Sequence, residues 1–271
     1  MTLVIAIPTD NSIVFASDSQ VTIGDVRATA SKIYKLNDNC LWSASGDLGL
    51  IQRVREQIDQ LPNKQEPLVA LRDTIAGYIK QTVTALVNMD FRSQFMGNSP
   101  ESLLKLHLAD FLFVECYDKK APQILHVVIT GTTEWVENRF AATGNGSSFA
   151  LALLQKYSQT QLTTETAKLL AYKVIEESIQ IGAYGLGPPI DVYAITWNEG
   201  AKQADESERA ALEDSARTLR WAELQLLSDH GALLSSNGQV VKSDSVAAVV
   251  HPNRSPKANK NAKTVVGRRK K

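Results

Sequence analysis

The stretch Leu3-Val-Ile-Ala-Ile-Pro8, Thr9-Asp10-Asn11, Ser12-Ile-Val-Phe-Ala-Ser-Asp18 decides the fold class. Residues 3–7 and 12–16 are apolar runs rich in Val and Ile, and the three polar residues between them favour a turn. The chain therefore opens with a β-hairpin. A second hairpin is expected at Ile33–Leu36 and Cys40–Ala44, around Asn37-Asp38-Asn39.

After Gly46 the apolar spacing changes. Ile51, Val54, Ile58 and Leu61 recur at helical intervals until Pro62, and Leu68, Leu71, Ile75, Ile79, Val83 and Leu86 mark a longer helix. Sheet returns at Phe111–Tyr117 and Gln123–Thr130, separated by Asp118-Lys-Lys-Ala-Pro122, with a short strand at Arg139–Thr143. Gly144-Asn145-Gly146-Ser147 leads into a helix carrying Phe149, Ala150, Leu153, Leu154 and Tyr157. The next helix shows Ala167, Leu170, Ala171, Val174 and Ile181 on one face, with Thr163 as N-cap. Ile190–Trp197 reads as the closing strand, and Gly200 as the end of the compact pattern. Leu212, Ala216, Leu219 and Leu226 suggest an amphipathic helix beyond it.

Strands, two helices, strands, two helices, strand: this order predicts an α+β fold. Its form is a four-layer αββα sandwich, two stacked antiparallel sheets flanked by helix pairs, because each sheet must cover two apolar faces. The expected division is a domain over 1–200, a helical appendage over 201–230 and a disordered basic tail over 231–271.

The 271 residues, 44% of them hydrophobic, suffice for a substantial core. The start lacks a basic n-region and meets Pro8 and Asp10 too early for a signal peptide, and no apolar run reaches membrane-span length. Cys40 and Cys116 sit in apolar surroundings without C-x-x-C spacing and read as buried free thiols, so a cytoplasmic location is expected. Net charge is zero, but the segment 252–271 carries eight basic and no acidic side chains, leaving 21 basic against 29 acidic residues elsewhere. That end reads as solvated in preference to a nucleic-acid surface. His107, His126, His230 and His251 lack metal-ligand spacing, with His126 read as structural. Gly144-x-Gly146 lacks the further glycine and lysine of a phosphate loop. No cofactor is expected.

Chemistry concentrates near the start. Removal of Met1 from in front of the small Thr2 would expose an N-terminal threonine. Its α-amine, with an ordinary pKa of about 7.7–8.0, can serve as base for its own hydroxyl. Asp18 ends the second strand and Lys32 begins the third, and an ion pair beside Thr2 would set its electrostatics. Gly46, in Ser43-Ala-Ser-Gly46-Asp47, turns from strand to helix, where its N–H could meet developing negative charge. Each feature also has a plain structural reading: a processed terminus, a structural ion pair, a tight turn.

Taken together, Thr2-Leu-Val-Ile-Ala, Val14-Phe-Ala-Ser-Asp18-Ser, Lys32-Ile-Tyr-Lys-Leu and Ser43-Ala-Ser-Gly46 resemble the amino-terminal half of proteasome β-type subunits. They also resemble the peptidase subunit of the bacterial two-component ATP-dependent protease. Both belong to the N-terminal-nucleophile hydrolases. Phe140-Ala-Ala-Thr-Gly-Asn-Gly146 and Ala183-Tyr184 extend the resemblance, which covers about residues 2–198. It implies threonine-dependent hydrolysis of unfolded polypeptides within a homo-oligomeric ring fed by an ATP-dependent unfoldase. Thr2 is then nucleophile, Asp18 and Lys32 its electrostatic partners, and Gly46 the oxyanion donor. Val21, Ala30, Tyr34, Ala44 and Leu48 line the pocket for the residue before the scissile bond, and Ala44 at its base implies a preference for large apolar side chains.

The sequence departs from the family in the segment from Asp18 to Lys32, which is about two residues shorter than usual, and at three positions. Asn145 stands where many members have Ser, and Gly182 and Gly185 where they have Asp and Ser. Asn145 retains hydrogen-bonding capacity, whereas the glycines offer backbone groups only. Two alternatives to the peptidase therefore stay open: an inactive ring-forming scaffold or binding subunit, and a small-molecule amidase of the same fold.

Overall fold

The computed structural model describes residues 2–23, 26–86, 109–118, 120–137, 140–182 and 185–235, with backbone only for 22, 23 and 229–235. The strands are β1 (Leu3–Pro8), β2 (Ser12–Asp18), β3 (Gln20–Ile23), β4 (Val26–Thr29), β5 (Ile33–Asn37), β6 (Cys40–Gly46), β7 (Ala109–Glu115), β8 (Gln123–Val128), β9 (Thr133–Trp135), β10 (Ala141–Gly144), β11 (Ile190–Thr196) and β12 (Gly200–Gln203). The helices are α1 (Leu48–Asp59), α2 (Leu68–Ala85), α3 (Ser147–Gln155), α4 (Thr164–Gln180) and α5 (Glu206–Ser235). One antiparallel sheet runs β10-β1-β2-β11-β12, another runs β5-β6-β7-β8-β9, and β3-β4 form a separate hairpin.

Strand alternation builds three apolar layers from two sheets. Leu3, Ile5, Ile7, Val14 and Ala16 face α3 and α4, packing with Ala150, Leu154, Ala171 and Ile175. Cys40, Trp42, Ala44, Phe111 and Phe113 face α1 and α2, packing with Leu50, Val54, Leu71 and Ile75. The opposite faces, with Val4, Ala6, Ile13, Phe15, Leu41, Leu112, Val114 and Ile124, meet between the sheets. This is the αββα sandwich. Strands buried on both faces read as continuous apolar runs, which is why the opening residues lack apolar–polar alternation.

Local signals act as expected at several boundaries. Asp47 caps α1 by accepting from Leu50 N at 2.9 Å, and Thr163 caps α4 by accepting from Thr166 N at 3.2 Å. Cys40 and Cys116 are buried free thiols, and no helix among the described residues is long and apolar enough to cross a membrane.

The chain does not leave the sandwich at Gly200. β12 starts there and pairs with β11 from Thr196↔Gly200 to Tyr193↔Gln203. Gly200 takes φ +70°, and a Cβ on it would meet the Asp38 carbonyl oxygen at 2.7 Å. The glycine thus admits a close crossing. Leu212 and Ala216 of α5 pack into the helix-side core, and the compact unit extends to Glu223. The α5 helix continues to Ser235, past the expected start of the tail, and 236–271 lie outside the described residues.

Candidate active site

The space between the sheets changes character along its length. At one end it holds Ile13, Phe15, Leu41 and Val114. Continuing the same alternation toward the other end places Thr2, Ser17, Ser43, Ser45, Asp110, His126 and Thr143 on the inner faces. The sandwich is apolar at one end and polar at the other. The polar end opens as a cleft of about 520 Å³ lined by Thr2, Ser45, Gly46, Asp110, His126, Ala142, Thr143, Gly144, Asn145, Ser147 and Ser148.

Thr2 is half-buried and enters β1. Two contacts fix this entry. Asn145 N donates to Thr2 O at 2.7 Å, and Leu3 N donates to Asp18 Oδ1 at 2.9 Å. Gly144 makes the first possible: it takes φ +93°, and a Cβ there would lie 2.0 Å from the Thr2 carbonyl oxygen. No residue with a side chain fits without moving Thr2.

Asp18 and Lys32, 14 residues apart, come together in the interior. Lys32 Nζ donates to both Asp18 oxygens at 2.9 Å, and both residues are buried. Gly187 N adds a bond to Asp18 Oδ2 at 3.3 Å. Burial pushes the Lys32 ammonium below the usual lysine range, and the charge and hydrogen bonds of Asp18 work against that. Ser43 Oγ donates to the Lys32 carbonyl at 2.6 Å, tying the lysine backbone to β6.

A second buried carboxylate supports the turn after Asp18. Asp191 accepts from Ser19 Oγ at 3.0 Å and from Gln203 Nε2 at 3.1 Å, and Arg209 stands 3.7 Å away. Residues of β12 and α5 thus brace the segment carrying Asp18. The apolar pattern gave no sign of this network.

Gly46 ends β6 at φ +132° and borders the cleft with Thr2. Of the residues expected in the specificity pocket, Ala44 is buried and Tyr34 half-buried on the helix side of their sheet, with the Tyr34 ring 4.7 Å from Trp42. Arg55 lies 4.6 Å above the Tyr34 ring. Val21 is half-buried, Ala30 and Leu48 are exposed, and none of the five lines the cleft. Gly182 and Gly185 both take φ +75°, and Ala183-Tyr184 between them lies outside the described residues. Sequence reading did not single out Asp110, Ser45 or Thr143, and read His126 as structural, whereas it borders the cleft.

The proteasome-subunit family profile matches residues 2–195, a span that contains the ion pair, the cleft and both sheets except β12 and the last residue of β11. The chain belongs to the proteasome family. Proteasome subunit beta of Methanosarcina barkeri is 26% identical over 210 residues, covering 76% of this chain and 91% of the relative. Proteasome subunit beta 1 of Pyrobaculum arsenaticum is 25% identical over 219 residues, covering 75% and 94%. Among solved structures, the Gly-1 mutant of Anbu from Hyphomicrobium sp. strain MC1 aligns with TM-score 0.59 over 82% of this chain and 96% of its own, at 16% identity. That likeness shows the fold, and the proteasome fold is the sandwich found here.

Proposed function

We propose that this proteasome-family chain is a threonine-type endopeptidase whose nucleophile is Thr2, freed by loss of Met1. The carrying observation is the buried Asp18–Lys32 pair, which through Asp18 also holds the backbone N–H of Leu3, the residue next to Thr2. In this reading Thr2 Oγ1 attacks the carbonyl carbon of the scissile peptide bond while the α-amine accepts the hydroxyl proton. That proton then goes to the departing amine as the C–N bond breaks, leaving an ester on Thr2. Water, deprotonated by the same amine, cleaves the ester and restores the hydroxyl. The Lys32 charge favours the neutral amine that a base requires, and the Gly46 N–H and Asn145 act on the oxyanion and the amine. Val21, Ala30, Tyr34, Ala44 and Leu48 receive a large apolar side chain before the scissile bond. The working form is a cytoplasmic homo-oligomeric ring degrading unfolded polypeptides delivered by an ATP-dependent unfoldase.

Mass spectrometry of the mature protein combined with fluorogenic peptide assays of wild type and Thr2→Ala tests the proposal. Loss of Met1 and a fall of at least about a thousandfold in the variant are expected. Equal rates would remove Thr2 from the mechanism. One observation favours a second reading, a ring-forming binding subunit without turnover: Gly182 and Gly185 adopt a backbone conformation suited to glycine and offer no side-chain donor. A β-lactone probe separates the two, since covalent capture at Thr2 requires an activated hydroxyl.

A further inference from the structure

The cleft beside Thr2 carries chemistry that the proposed hydrolysis does not use. The residues assigned above to the side chain before the scissile bond all lie outside it, so it is open to the substrate segment after that bond. A volume of about 520 Å³ lies within the range of sites that enclose a small ligand or a few residues of chain. Its walls are unlike those of an apolar pocket. Among the described lining residues Ala142 is the one apolar residue with a side chain, and the others are hydroxyls, an amide, glycines, the imidazole of His126 and the carboxylate of Asp110.

Among the described residues of that wall, Asp110 supplies the only acidic side chain. It points inward from β7 on the same face as Leu112 and Val114, and its side chain is 36% exposed, hence reachable from the cleft. His126 Nε2 stands 3.6 Å from Asp110 Oδ1, longer than a hydrogen bond. The carboxylate thus keeps acceptor capacity toward a ligand. An opposing field comes from the start of α3, where Asn145, Ser147 and Ser148 also border the cleft. A helix N-terminus is equivalent to roughly half a positive charge and is weaker in short helices. Against the full charge of Asp110 it is the smaller term, and its N–H groups suit the carbonyl oxygens of an extended peptide.

We infer that this cleft binds the substrate segment following the scissile bond and that Asp110, flanked by His126, makes it select a basic side chain there. The inference rests on the proposed peptidase activity. Asp110 accepts hydrogen bonds from the substrate ammonium or guanidinium, while the α3 end and the Ser147 and Ser148 hydroxyls hold its backbone.

The test uses internally quenched peptides identical except for Lys, Leu or Glu immediately after the cleaved bond, with the cut mapped by mass spectrometry. Wild type should show kcat/KM highest for Lys and lowest for Glu, with Lys over Leu by about fivefold. In Asp110→Asn the Lys advantage should collapse, chiefly through slower cleavage of the Lys peptide. In Asp110→Lys the order should reverse, and because all ratios are taken within one protein, partial loss of folded enzyme does not affect them. An order unchanged by either substitution, or a wild-type preference for Glu, overturns the inference while Thr2-dependent cleavage leaves the peptidase standing. Cleavage equal in Thr2→Ala overturns both.

Discussion

Asp18 and Glu115 are both carboxylates buried at the ends of strands, and both accept a backbone N–H that begins an element: Leu3 N at 2.9 Å and Leu68 N at 2.8 Å. Their surroundings differ. Asp18 also receives Lys32 Nζ on each oxygen and Gly187 N, donors that favour an ionised carboxylate. Around Glu115, burial dominates and pushes the pKa up to about 7, with the Leu68 N–H and the charge of Lys120 opposing it. The same kind of buried carboxylate is thus held by a cation and backbone donors in one place, and left to titrate near neutrality in the other, where one N–H stands nearly alone. The first setting suits a site that must hold an electrostatic field, the second a helix start.

Breaking the first setting should have the largest effect. Asp18→Asn leaves the Lys32 ammonium buried without its counter-charge, and removing one partner of a buried pair costs roughly 3–5 kcal/mol. Chemical denaturation should show that loss together with peptidase activity near background. A cost under about 1 kcal/mol would mean that water replaces the carboxylate and that the two settings are alike.

A change of shape without charge comes next. Gly144→Ala puts a methyl group against the Thr2 carbonyl at a positive φ and should cost about 2–3 kcal/mol. Its activity loss should exceed what its stability loss explains, since the Asp18–Lys32 pair is left whole. Full activity in this variant would show that the Thr2 backbone position is not critical.

Glu115→Gln sharpens the second setting. A carboxyl with a folded pKa of about 7 against an ordinary 4.5 favours folding when protonated. Its contribution is complete below pH 4.5 and is lost as pH rises through 7. The glutamine amide keeps an acceptor for Leu68 N and cannot ionise. The shift is worth about 3 kcal/mol at pH 8, part of it offset by the new amide N–H, so the variant should gain about 2 kcal/mol over wild type at pH 8, or ~4–8 °C in Tm, and gain nothing at pH 4.5. An equal Tm difference at both pH values would place the effect elsewhere. The exposed Lys35–Asp38 pair at 2.6 Å is the control, and Lys35→Ala should change stability by less than about 0.5 kcal/mol.

Much of the sandwich was legible in the chain. β1, β2, β5 and β6 fall where the two hairpins were expected, because strands covered on both faces must be apolar throughout. The α1, α2 and α4 helices follow their apolar spacing and stop signals. The β3–β4 hairpin was missed because β4 is exposed throughout and so carries no apolar pattern. The β12 strand was missed because Gly200-Ala-Lys-Gln203 has only a half-exposed edge position and a glycine start.

The sequence by itself determined which of the apolar, periodic segments are strand or helix and which residues around Thr2 resemble a proteasome site, because periodicity and local motifs are written in neighbouring residues. Tertiary structure alone decided what meets at the open end. Asp110 and His126 share a cleft with Thr2 because the Leu112↔His126 register joins β7 to β8 and the two sheets stack with their polar ends aligned. Gln203 reaches Asp191, which holds the turn after Asp18, only because β12 returns to the sheet. Such contacts join residues far apart in the chain, and their partners are chosen by register and layer packing, which no local pattern encodes.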